Sequence, residues 1–191
     1  MIYLIDEPIS RISHSSFLKK IISSHTSSDI VVVELPTDPT YFQIYDTVKH
    51  LFTMVTTSDV VVCAWTSSSN ALIDSIFEQL SNHCWVVVAA GNNSGLIENY
   101  SPARVPTVIT VGCLNKSGNK ASLSNFSDTK QLEWVPGTNY SVDGEMHSGT
   151  SVSAALYSAF LAEAIIHHDH SVIEKLNEQQ KQLVKAELQQ I

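Results

Sequence analysis

Five short apolar runs rich in Val and Ile punctuate the first two-thirds of the sequence: MIYLID at its start, IVVVEL (30–35), VVVCAW (60–65), CWVVVAAG (84–91) and TVITVGC (107–113). A continuous apolar run of this length needs cover on both faces, which is the environment of a strand inside a parallel sheet. Between the runs the apolar residues change to helical spacing. Phe17, Leu18, Ile21 and Ile22 share one face of 15–24, a second helix is expected over 44–55, and Leu72, Ile73, Ile76, Phe77 and Leu80 share a face of 70–80. Strand and helix in alternation predict an α/β doubly wound sheet.

After Cys113 the pattern changes. NKSGNKASLSNF (115–126) reads as a Gly-containing hairpin, and an irregular, turn-rich stretch follows up to Gly149. An apolar helix is expected over 151–166, and 171–191 reads as a polar helix with a sparse apolar edge, structural or partner-binding. No internal repeat or linker divides the chain, so the expectation is one compact domain over 1–170 with the terminal helix packed on it or extending from it.

Composition narrows the function. The formal net charge is −8 with the basic residues scattered, so no electrostatic footprint for nucleic acid exists. No apolar run is long enough to span a bilayer, and with a strand-like MIYLID at the start no secretion signal is expected. Cys63, Cys84 and Cys113 each sit in or beside an apolar run without CxxC spacing, as buried free thiols do. The cytoplasm is the expected compartment.

Open α/β sheets bind ligands at the carboxyl ends of their strands. The polar residues past those ends are Asp6, Pro36-Thr37-Asp38, Thr66-Ser67-Ser68-Ser69 and Gly91-Asn92-Asn93-Ser94. His14 opens the first helix and Ser151 the last. An acid, a histidine, an asparagine and a serine on one rim are the inventory for acyl transfer: orienter, base, oxyanion donor and nucleophile. Each has a plainer reading. Asp6 and Ser151 suit helix caps, His14 suits a surface, and Asn92 suits a left-handed turn. His167-His168-Asp169-His170 fits a solvated helix end better than a metal site, and no cofactor is expected.

Four blocks carry a family likeness: VVVAAGNNSG (86–95), SPARVPTVITVGCLNKSGNKASLSNF (101–126), VPGTNYSV (135–142) and SGTSVSAALYSAFLAEAI (148–165). In order and over about residues 59–166, they resemble consecutive blocks of the subtilisin-like serine proteases, which open their last core helix with Gly-Thr-Ser. The resemblance implies a three-layer α/β fold whose mostly parallel central sheet is flanked by helices. It implies Ser151 as nucleophile, Asn92 as oxyanion donor, Asp6 as orienter and His14, in ISHSSFLKKI, as base. His25 and His50 are the competing histidines. It also implies substrate contacts at Ala64, Trp65 and Thr66, with Gly91, Gly149 and Thr150 completing the set. Trp65 walls a specificity pocket or serves as a core aromatic. Thr37 to Tyr41 falls where the family has its second substrate-pairing edge, so a peptide would bind as an added strand.

Seven residues separate Asp6 from His14, where the family carries a longer insertion. Seven extended residues reach about 20 Å, enough to join a strand end to a neighbouring helix. Two functions follow. One is a serine endopeptidase, with a precursor peptide as substrate and a regulatory partner as a further expectation. The other is a catalytically weakened subtilase-fold binding or scaffold subunit. A nucleotide-binding domain is disfavoured, because no GxGxxG or Gly-Lys-Ser/Thr loop is present.

Overall fold

The structure, a computed structural model, describes residues 1–6 and 14–167. In chain order these form β1 (Ile2–Asp6), α1 (His14–Ser23), β2 (Ile30–Glu34), α2 (Tyr41–Leu51), β3 (Val60–Cys63), β4 (Ser67–Ser68), α3 (Ala71–Ser81), β5 (Trp85–Ala89), β6 (Tyr100–Ser101), β7 (Ile109–Leu114), β8 (Glu133–Pro136), β9 (Tyr140–Val142), β10 (Glu145–His147) and α4 (Thr150–Ile166). The segment 171–191 and residues 168–170 of the histidine run lie outside the described residues.

Six strands make one sheet in the order β2-β1-β3-β5-β7-β8, and every neighbouring pair is parallel. Alternation along each strand splits its side chains between two cores. Ile2, Leu4, Val60, Val62, Trp85, Val87, Ile109 and Val111 pack with Phe17, Leu18, Ile21 and Ile22 of α1 and with α4. Tyr3, Ile5, Val61, Cys63, Val86 and Val88 pack with α2 and α3 on the opposite face. Each fully buried aliphatic side chain in these layers contributes about 1.5–3 kcal/mol. The expected three-layer α/β architecture is the one observed.

Local chemistry explains the helix boundaries. The second helix starts three residues before the expected 44, because Thr40 and Gln43 form a reciprocal capping box. Asn70 caps α3, its side chain accepting from the N–H groups of Leu72 and Ile73. The last helix, α4, is buried at 13 of its 17 positions, so it lies inside the molecule and needs small residues to fit.

The expected irregular stretch before Gly149 is instead ordered. Residues 133–136 form the sixth strand, and β9 and β10 form an antiparallel hairpin turned by Asp143 and Gly144, both at positive φ. Neither showed in the sequence because β8 is a half-exposed edge strand ending in proline, where a missing ladder donor is tolerated. The expected hairpin at 115–126 reduces to a tight turn with one antiparallel bridge, Leu114 to Lys120.

The chain leaves β1 for β2 on one side and returns to β3 on the other, so strand order reverses between β1 and β3. A crevice forms at the carboxyl ends of strands flanking such a point. Asp6 stands at that end of β1, and Ala64, Trp65 and Thr66 follow β3.

Candidate active site

Asp6 is the last residue of β1 and is buried. Its Oδ2 lies 2.7 Å from His14 Nδ1, and His14 Nε2 lies 2.9 Å from Ser151 Oγ. A carboxylate only accepts, so Nδ1 carries the imidazole proton and donates it to Asp6. The Nε2 lone pair is then left to accept from the Ser151 hydroxyl. Ser151 is the second residue of α4, whose N-cap is Gly149, so it does not occupy the capping position. Its place in the first turn sets it at the positive end of the helix.

Asn92 reaches this point from the loop after β5. Its Oδ1 accepts from the Thr150 N–H at 2.9 Å and from Thr150 Oγ1 at 3.1 Å. Those two donors fix the orientation of the amide and leave the Nδ2 hydrogens for another acceptor. Thr150 Oγ1 itself accepts from the Gly91 N–H at 3.0 Å, tying the loop to the helix start. Gly149 is closely approached: a Cβ there would stand 3.1 Å from Asn92 Nδ2. Gly91 has φ +98°, and a Cβ on it would lie 2.5 Å from Asn125 Nδ2 and 2.9 Å from Thr66 Oγ1.

Trp65 belongs to the core and also borders an opening. Its ring packs edge-on against Phe77 of the core, and it also lines a cavity of about 310 Å³ with Asp38, Pro39, Tyr41 and Thr66. The indole Nε1 is buried without a hydrogen-bond partner. Asp38, Pro39 and Tyr41 therefore line one opening together with Trp65, Thr66 and Ser67, while Ala64 is buried and its N–H bonds to the Ile5 carbonyl. The competing histidines are elsewhere. His25, past the far end of α1, has its Nδ1 2.9 Å from the Ile21 carbonyl, and His50 is exposed on α2.

Among the described residues no group of three or more His, Cys, Asp or Glu could hold a metal. The cysteines are free and buried, and burial holds the thiols of Cys63 and Cys84 well above their usual pKa, hence protonated and inert.

Residues 25–189 match the model of the subtilase family, peptidase S8. The chain belongs to the subtilase family. That match includes Asn92 and Ser151 and begins after Asp6 and His14. A curated relative, Subtilisin-like protease 1 of Pseudogymnoascus destructans, is 35% identical over 92 residues, which are 44% of this subtilase and 23% of that protein. The aligned part thus spans less than a quarter of the relative's length. Among solved structures, a cold adapted subtilisin-like serine proteinase superimposes with a TM-score of 0.73 at 20% identity, covering 96% of this subtilase and 79% of that chain. The prenylagaramide maturation protease PagA gives 0.65 at 15% identity, covering 88% and 76%. At these identities the likeness is one of fold.

One further residue lies beside these side chains without a role assigned to it from the sequence. Asn125 is fully buried beneath the loop carrying Asn92, yet it reads as one more polar residue in SLSNF. Only the three-dimensional return of that turn to the 90–95 loop reveals it.

Proposed function

We propose that this chain is a serine endopeptidase with Ser151 as nucleophile, His14 as base and Asp6 as orienter. The observation that carries the reading is the hydrogen-bonded line from Asp6 through His14 to Ser151, at 2.7 and 2.9 Å. Ser151 Oγ attacks the scissile carbonyl carbon as its proton passes to His14 Nε2, and Asp6 stabilises the imidazolium. Asn92 Nδ2 and the Ser151 N–H hold the negative oxygen that forms. The imidazolium then gives its proton to the leaving amine, the C–N bond breaks, and an acyl ester remains on Ser151. Water, deprotonated by the same histidine, attacks the ester and restores the serine hydroxyl.

The substrate is a peptide bound as an extended strand between segments 37–41 and 64–66, its main chain paired to theirs. Gly91, Gly149 and Thr150 hold the Asn92 loop closely against the start of α4, where the scissile bond would lie. A short precursor peptide fits best, in keeping with a structural neighbour that is itself a maturation protease. Free buried thiols suit a reducing compartment, the cytoplasm, and no helix among the described residues is long and apolar enough to cross a membrane.

Intact-mass analysis after exposure to a fluorophosphonate probe tests the reading. The expected result is one adduct on the unaltered chain and none on Ser151→Ala. Absence of any adduct would favour the alternative of a subtilase-fold binding subunit. Asn92→Ala should lower kcat by about 10²–10³ with little change in KM, because its amide acts on charge that exists only in the transition state.

A further inference from the structure

We infer that Asn125 is the positioning residue for Asn92: its side chain clamps the oxyanion loop on both sides of the donor and so sets where the Asn92 amide points. The inference rests on the peptidase reading for its catalytic meaning, while the clamp itself is a matter of geometry. Asn125 is fully buried. Its Oδ1 accepts from the N–H groups of Asn93 and Gly95, each at 3.0 Å, and its Nδ2 donates to the Ala90 carbonyl at 2.9 Å. Its backbone N–H donates to the Gly91 carbonyl at 2.9 Å. Residues 90, 91, 93 and 95 are thus all held by one residue, and Asn92 lies between them.

Only a primary amide has two acceptor lone pairs at one end and a donor at the other in a single plane. An aspartate of the same shape would keep the bonds to Asn93 and Gly95. It would also turn a carboxylate oxygen toward the Ala90 carbonyl, exchanging an attraction for a repulsion. The amide also presses on Gly91, where a Cβ would come within 2.5 Å of Nδ2. The clamp is itself anchored. Ser124 Oγ accepts from the Cys113 N–H of β7 and donates to the Asn125 carbonyl, both at 3.0 Å. Above, Thr150 fixes the Asn92 oxygen from α4. The donor is therefore located from two independent elements, the nucleophile helix and the β7 turn.

The test is the rate of fluorophosphonate labelling of Ser151 in Asn125→Ala and in the isosteric Asn125→Asp, each alone and combined with Asn92→Ala, with melting curves for all. Asn125→Asp keeps the test open if Asn125→Ala fails to fold. The expected result is a ~10- to 100-fold loss of labelling rate in folded Asn125 variants, and little further loss once Asn92→Ala has removed the donor. A folded Asn125→Asp that labels at the original rate, or one whose loss is undiminished in the Asn92→Ala background, overturns the inference. A second readout needs no activity: the Asn92 side-chain amide signals in nitrogen-proton spectra, assigned by their disappearance in Asn92→Ala. They should shift and broaden in Asn125→Asp. If the chain never labels but these signals still move, the peptidase reading falls and the clamp stands. If they stay unchanged, the clamp falls whatever the labelling shows.

Discussion

Gly91 and Gly118 share a left-handed backbone, at φ +98° and +78°, but not their surroundings. A Cβ on Gly118 would meet nothing within 4 Å, whereas one on Gly91 would strike Asn125 and Thr66. Replacing each by alanine separates conformational strain from close approach. Gly118→Ala should lose about 1 kcal/mol through backbone strain alone. Gly91→Ala should lose about three times that, with a melting temperature lower by roughly 6–12 °C at about 2–4 °C per kcal/mol for a chain of this size, because the neighbour that must move is a hydrogen-bonded amide. It should also slow labelling of Ser151, since the displaced loop carries Asn92; thermal melts and labelling rates on the two variants check both statements. At this scale the residue types of the candidate site were legible, because an acid, a histidine, an asparagine and a serine at element ends have a recognisable chemistry. Asn125 was not. It falls inside the block 101–126 that carries the family likeness, but a buried amide that serves only other backbone groups shows no role in a sequence until its partners, some thirty residues away, are known.

Among the elements, those with a regular apolar period were readable and those without one were not. Phe17, Leu18, Ile21 and Ile22 marked the buried face of α1, and the Val-rich runs marked five of the six strands. The sixth, Glu133–Pro136, has just Trp134 and Val135 as apolar residues and takes its conformation from pairing with β7. The hairpin of β9 and β10 is likewise held from outside, through Phe17 against His147 at 4.0 Å and Lys20 to Asp143 at 2.8 Å, both from α1. Two substitutions probe element stability. Asn70→Ala removes the cap of α3 and should cost about 1 kcal/mol, read as a lower urea midpoint without a change in slope. Ala154→Leu places three extra carbons where α4 is fully buried against the sheet and should destabilise by about 1–3 kcal/mol, or more if the sheet does not yield.

Across the whole molecule, one cation fastens the segment between β6 and β7 to the one before β8. Lys130 Nζ donates to the carbonyls of Ala103 and Val105, at 3.2 and 2.6 Å, and to Thr110 Oγ1 at 2.7 Å. Burial lowers its pKa to about 7, opposed by the charge of Glu98. Unfolded, a lysine keeps its proton to about pH 10.4. Between those values the unfolded chain binds more protons, so stability rises with pH, by at most about 1.4 kcal/mol per unit, and that gain is lost as pH falls through 7. Urea titrations at pH 7 and pH 9.5 should show the unaltered chain gaining more than Lys130→Met; an equal gain would refute the assignment. Asp6 and His14 lie within the first fourteen residues, while Ser151 stands 137 positions beyond His14 on the helix that completes the core. The contact between Asp6 and His14 is local, whereas the one to Ser151 closes only once α4 has packed beside α1 on the sheet. On the peptidase reading proposed above, activity is therefore the last property that folding delivers.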